Sequence, residues 1–172
     1  MAMSSDKFID IYDEQMWSVF GFLGYRVRRR EVVEDLTQTT FEKALRAWGR
    51  FDPSRASART WLLAIARNVL IDYYRRDGAW REEPIGQDDE AVGPDGAVPG
   101  PEPLGPSPEL ERALDTLGQR DREVIALRYG GDMTGPEIAE LTGLTLANVQ
   151  QILSRSLRRL RSELESPASA AA

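Results

Sequence analysis

The chain has 172 residues, 22 of them basic and 28 acidic, for a net charge of −6, and it contains neither cysteine nor histidine. That composition excludes a disulfide framework, a thiolate zinc site, a cysteine nucleophile and any Ser-His-Asp triad, and it leaves binding or carboxylate chemistry as the ways to act. No apolar run approaches a membrane span, and the start MAMSSDKFID lacks the basic-then-apolar order of a secretory signal, so a soluble cytosolic chain with no membrane insertion is expected.

In chain order, residues 6–28 are rich in apolar side chains (Phe8, Ile9, Ile11, Trp17, Val19, Phe20, Leu23), are interrupted by Gly21 and Gly24, and end in Arg26, Arg28, Arg29 and Arg30. Arg28 to Arg30 either contact duplex phosphate or cap a helix end. Residues 31–48 follow with Val33, Leu36, Phe41, Leu45 and Trp48 at helical spacing, which predicts one buried face. Glu31, Asp35, Gln38 and Glu42 step by three or four along another face. Gly49, Asp52 and Pro53 mark a loop. A second long helix is expected over 57–77, with Trp61, Ile65, Val69 and Tyr73 as its apolar stripe and Arg59, Arg67, Arg75 and Arg76 off it. Core packing is therefore expected of Trp61 and Tyr73, while Tyr74 lies off the stripe and is the more open aromatic.

Residues 84–108 break the pattern. They hold seven of the ten prolines, five glycines and five acids with no base, a local charge of −5, against +1 for 1–83 and −2 for 109–172. Such a segment cannot bury enough surface to offset its ordering entropy, so a flexible acidic linker is expected. A second function for it is to lie in a basic channel of a partner. The tail, 166–172, is expected to be disordered.

The C-terminal part, 109–165, again reads as helix. Leu110, Ala113, Leu114 and Leu117 give a short one, and Val124 to Tyr129 a second. Gly135-Pro136-Glu137 opens a third, with Pro in a first-turn position. Gly143 then permits a tight turn, Thr145 is the expected N-cap, and a long helix follows with Val149, Ile152 or Leu153, Leu157 and Leu160 facing inward. This is the helix-turn-helix spacing, with the small Ala139 letting the helices approach and Val149 packing the second on the first. The second helix then offers Leu146, Asn148, Gln150, Gln151, Ser154 and Arg155 to base edges, and Arg158, Arg159 and Arg161 to phosphate. The fold class expected is all-α: two small helical domains, 1–83 and 109–165, the latter a four-helix helix-turn-helix domain.

With these segments in order, the chain resembles a bacterial sigma factor of the two-domain extracytoplasmic function (ECF) group. Glu34-Asp35-Leu36-Thr37-Gln38-Thr39-Thr40-Phe41 and Lys43 to Trp48 are similar to the family's polymerase-binding helix. Trp61 to Asn68 and Asp72-Tyr73-Tyr74-Arg75-Arg76 are similar to the helix that reads the −10 promoter element. Arg122-Glu123-Val124, Leu127-Arg128-Tyr129, Glu137-Ile138-Ala139 and the helix to Arg161 are similar to the domain that reads the −35 element.

The resemblance implies a protein that joins core RNA polymerase (its β and β′ subunits) through Glu31, Asp35, Gln38 and Glu42. It implies −10 recognition by Arg67, Asn68, Asp72, Tyr74, Arg75 and Arg76, with Asn68 holding a base flipped from the opened strand. It implies −35 recognition by Asn148, Gln150, Gln151, Ser154, Arg155, Arg158 and Arg159, and regulation by an anti-sigma partner. No cofactor, metal or catalytic residue is expected. Two departures stand out: Thr39 sits where the family has an acid after the glutamine, and Gln150-Gln151-Ile152 replaces a Lys-Ser-Arg-like run. The rival readings are a stand-alone helix-turn-helix regulator and a carboxylate enzyme built on Asp35 and Asp72, which lie on different helices with no phosphate-cradling loop.

Overall fold

The computed structural model describes residues 5–77 and 105–166. Most of the acidic segment and all but the first residue of the tail lie outside the described residues. Among the described residues seven α-helices form: α1 (Ser5–Gly24), α2 (Arg30–Ala47), α3 (Ala58–Arg76), α4 (Pro108–Leu114), α5 (Gln119–Ile125), α6 (Gly135–Thr142) and α7 (Leu146–Glu165). A short 3-10 turn, Trp48–Arg50, extends α2, and a π-helical turn, Ala126–Gly130, extends α5. No strand occurs among the described residues.

The helix starts follow local chemistry. Ser57, Ser107 and Thr145 each accept a hydrogen bond from the backbone N–H three residues on, at 3.1, 3.3 and 3.1 Å. That satisfies donors that a helix start otherwise leaves orphaned. At α6 the Glu137 carboxylate accepts from the Thr134 N–H at 2.7 Å, the return half of a capping box. Gly143 ends α6 with φ +75°, the left-handed conformation that glycine adopts without steric cost. Pro108, the last residue expected in the linker, is instead the first of α4, capped by Ser107.

α1, α2 and α3 pack on one another as a three-helix unit. Its core holds Val19, Phe22, Leu23, Leu62, Leu63 and Ala66, all fully buried. An aromatic cluster closes one end, with Trp48 stacked on Phe51 at 5.4 Å and Phe51 against Trp61 at 4.8 Å. Thr37 and Thr40 are buried on α2 because their hydroxyls donate to the Val33 and Leu36 carbonyls, each at 2.7 Å. In the C-terminal half α4, α5 and α6 all pack on α7.

The two halves are not separate bodies. The π-turn lies along α1, and α6 touches α3. One core cluster runs from Phe22, Leu23 and Leu63 through Ala126, Leu127 and Met133 to Ile138 and Val149. A smaller cluster, Ala113, Leu114, Leu117, Ile125 and Leu160, is built in the C-terminal half, with Tyr25 from the N-terminal half packed against it.

Several burial expectations change as a result. Leu45, expected on the buried face of α2, is 56% exposed, and Trp17 on α1 is 52% exposed. Leu157, expected to face inward, is 40% exposed, while Ser156 beside it is fully buried. On α3 the fully enclosed residues are Leu62, Leu63 and Ala66, with Val69 and Leu70 nearly so; Trp61, Ile65 and Tyr73 are only half-buried. The physical reason is that α3 is packed by α1 and α2 and also by α6, so its buried arc is wider than, and rotated from, the stripe a two-sided reading gives.

Candidate partner and nucleic-acid interfaces

Three surfaces carry the residues singled out by sequence. The first is the outer face of α2. Glu31, Asp35, Gln38 and Glu42 are all exposed, with Gln38 donating to the Glu42 carboxylate at 2.9 Å. Thr39 does not replace the missing acid in outward chemistry. Its hydroxyl donates back to the Asp35 carbonyl at 2.9 Å, which ties it to its own helix. Beside this polar stripe runs a groove of about 630 Å³ between α1 and α2, lined by Tyr12, Met16, Trp17, Phe20, Phe41 and Leu45 among others. The groove explains the exposure of Trp17 and that of Leu45, which helical spacing alone assigns to a buried face. The signal available in sequence was an excess of apolar residues on α1 over what one buried face requires.

The second surface is α3. Asn68 is exposed at its middle, and Arg75 and Arg76 are exposed at its C-terminal end, where cations also complement the helix dipole. Asp72 lies 3.4 Å from the Lys43 ammonium, an ion pair between α3 and α2. Arg67 does not face solvent freely. Its Nε and Nη2 donate to the Glu123 carboxylate of α5 at 2.7 and 3.3 Å. Tyr74, expected to be the open aromatic, is half-buried: its hydroxyl donates to the Arg26 carbonyl at 2.7 Å and the Arg26 guanidinium lies 5.8 Å from its ring. The correction has a simple cause, because the residues after α1 fold back over the end of α3 and give the off-stripe tyrosine a partner. Burial raises the Tyr73 hydroxyl above its ordinary value, with the nearby Asp77 carboxylate adding to the effect.

The arginines after α1 are also re-assigned. Arg26 is buried and donates to the Gln119 carbonyl and side chain at 3.0 and 2.8 Å. Arg28 pairs with Asp115, and Arg30 with Glu34 at 2.9 Å; Arg29 remains exposed. Two of the four thus join the halves of the molecule.

The third surface is the outer face of α7, the second helix of a helix-turn-helix in which Gly143 makes the turn and Thr145 the cap. Asn148, Gln150, Gln151, Ser154, Arg155, Arg158 and Arg159 are all exposed, on the side opposite Val149, Ile152, Ser156 and Leu160. Arg155 is held, its Nη2 donating to both carboxylate oxygens of Asp121 at 2.9 Å. Arg158 and Arg159 form no salt bridge among the described residues. Side chains of this kind on a projecting helix suit base edges and phosphates.

Residues 12–81 match the family model for Sigma-70 region 2, and residues 113–162 that for Sigma-70 region 4. The chain is 33% identical over 163 residues to the ECF RNA polymerase sigma factor RpoE of Cereibacter sphaeroides, covering 91% of this chain and 86% of that one. The chain belongs to the ECF RNA polymerase sigma factors. Another ECF sigma factor, SigX of Bacillus subtilis, is 31% identical over 160 residues, covering 90% of this chain and 82% of the relative. The fold agrees with that of the sigma factor RpoE from Bartonella quintana, solved in complex with the anti-sigma factor NepR, at a TM-score of 0.74 and 22% identity over 92% of this chain and 97% of that one. An alternative sigma factor initiates transcription with RNA polymerase, which sets aside the stand-alone helix-turn-helix regulator.

Proposed function

We propose that this sigma factor divides its work between its two halves. Residues 1–83 join core polymerase through Glu31, Asp35, Gln38 and Glu42 and hold the opened −10 element with Asn68, Arg75 and Arg76. Residues 109–165 read the −35 element as duplex with the outer face of α7, and 84–108 bridges them. The observation that carries this reading is the α6–Gly143–α7 arrangement, whose second helix turns a continuous row of amides and arginines to solvent. Capture of a −10 base supplies free energy only in the melted state, so it offsets unpairing. The covalent chemistry belongs to the polymerase. With a net charge of −6 the protein alone binds DNA weakly, and promoter engagement waits for the holoenzyme. By analogy with relatives solved with NepR and with the cytosolic domain of CnrY, an anti-sigma protein is a partner, and the site of action is the cytoplasm.

The test is retention on purified core polymerase followed by transcription from randomised promoters. Replacing Asp35 and Gln38 together by alanine is expected to lower core affinity at least tenfold and abolish promoter-dependent transcripts. Unchanged retention would place the polymerase contact elsewhere.

A further inference from the structure

The outer face of α7 carries its charge unevenly. Leu146 to Ser154 have no charged side chain, and the four arginines follow at 155, 158, 159 and 161. Gln151, Arg155 and Arg159 recur at a spacing of four, so they share one face and stand one turn apart. Among the described residues Arg155 is the only one of the four arginines in a salt bridge. Arg158 donates from Nε to the Ser154 carbonyl of its own helix at 3.4 Å. The first cation of the helix is thus the one that the protein itself holds.

The hold comes from Asp121 on α5. The Arg155 Nη2 donates to both carboxylate oxygens at 2.9 Å, while its Nε and Nη1 donate to nothing among the described residues. The partners are unequal: the Asp121 side chain is 19% exposed and that of Arg155 56%. Asp121 is short, and its helix packs on α7 and is anchored by the buried Val124 and Ile125. The carboxylate is therefore the fixed member and the guanidinium the directed one. At a distance the pair is close to neutral, which weakens its pull on phosphate, and a phosphate that comes near also meets the Asp121 charge. The remaining N–H donors keep their use. Guanine O6 and N7 in the major groove call for donors in a set plane rather than for net charge. A guanidinium restricted beforehand also loses less side-chain freedom on contact.

We propose that Asp121 is a positioning residue for −35 recognition: by holding Arg155 it makes that arginine the reader of a guanine edge, whereas Arg158 and Arg159, which no carboxylate holds, bind phosphate. The inference rests on the functional division proposed above, in which α7 reads the −35 element as duplex. It gives α5 a share in base choice without any contact to a base. It also sets an order along one face of α7, with the Gln151 amide for an adenine edge, the held Arg155 for guanine and Arg159 for the backbone.

The test is selection from promoters randomised across the −35 element by holoenzyme carrying each variant, with salt dependence measured on the best-selected duplex. Arg155→Ala is expected to relax a guanine preference at one position by about fivefold or more, and to change the slope of log affinity against log salt by less than about 0.5. Asp121→Asn, which keeps the size of the side chain, is expected to relax the same position by about threefold or more and to steepen the slope by about 1, because the released guanidinium turns to phosphate. In the Arg155→Ala background Asp121→Asn should leave every base preference unchanged, which a general loosening of α5 would not do. A sharper guanine preference in Asp121→Asn would mean that the carboxylate competes with DNA for Arg155, and an unchanged one that it has no part in reading; either overturns the proposal. So does an Arg155→Ala protein whose slope flattens by about 1 with its preferences intact, since Arg155 would then bind phosphate. Gln151→Ala separates the two levels. If it relaxes its own position while the Arg155 and Asp121 variants relax none, the positioning role alone fails. If none of these variants changes any −35 position, the functional division fails and the positioning role with it.

Discussion

α3 and α7 invite comparison: they have 19 and 20 residues, each carries four arginines, and each is the helix that reads promoter DNA in the proposed function. Their surroundings differ. α7 buries a single narrow row and leaves the rest of its surface open. α3 is enclosed by α1 and α2 and touched by α6, and two of its four arginines, Arg59 and Arg67, are bonded across to the C-terminal half. The lesson concerns what a polar face means. On a helix packed along one row by its own unit, polar spacing marks a free surface; on a helix between two units, the same spacing marks an interface within the chain.

The largest expected effect sharpens that contrast. Leu63 of α3 is fully buried and sits against the backbone of Gly131, so Leu63→Ala removes contacts in both halves at once. Its cost is expected to be about 2–5 kcal/mol, read by urea denaturation. Leu157→Ala on the open side of α7 is expected to cost about 0.5 kcal/mol or less. Equal costs would mean that the outer side of α7 is packed as well and that the contrast is false.

This difference also governs how much could be read from the sequence. The seven helices and the turn at Gly143 were legible because caps, prolines and spacing are local signals, and they agree with the packing. The polar face of α7 was legible for the same reason: α4, α5 and α6 cover one row and leave one period, although Leu157, expected inward, faces out and Ser156 is buried instead. Leu157 apart, the wrong placements sit where another part of the chain or an open groove intervenes. Tyr74 is covered by the chain after α1, Leu45 lines a groove, and Arg28 bonds to Asp115, the C-cap of α4. Nothing within ten residues of Tyr74 or Arg28 encodes the partner, which for Tyr74 lies 48 residues away. Gly21 inside an apolar helix was the one local hint that another backbone, that of Gly130, comes close.

A medium effect separates the two kinds of arginine. The Arg67–Glu123 pair has side-chain exposures of 29% and 15%, and the Arg155–Asp121 pair 56% and 19%. Removing Arg67 strands a carboxylate with little access to water, so Arg67→Ala is expected to cost about 1–3 kcal/mol. A double-mutant cycle with Glu123→Ala should return a coupling of about 1–2 kcal/mol. The same cycle at Arg155 and Asp121 should return about 0.2–1 kcal/mol, falling further with added salt. Couplings in the reverse order would show that the α3 arginine is held loosely and that the contact between the halves contributes little there.

The smallest effect on stability is expected at Arg159, an exposed residue with no salt bridge among the described residues. Arg159→Ala should change the free energy of unfolding by no more than about 0.5 kcal/mol, because it creates neither a cavity nor an unpaired buried group. Its consequence should appear only with DNA. A side chain that neutralises one phosphate releases about one counterion, so the slope of log affinity against log salt for the holoenzyme on a promoter duplex should fall by about 1. The loss should be uniform across promoter sequences, because phosphate contacts carry no base information. Gln151→Ala should behave in the opposite way, with an unchanged salt slope and a relaxed preference at one −35 position. If Arg159→Ala instead alters base preference while leaving the slope intact, α7 lies in the groove in a different rotation from the one its buried row implies, and the assignment of amides to bases and arginines to phosphates must be exchanged.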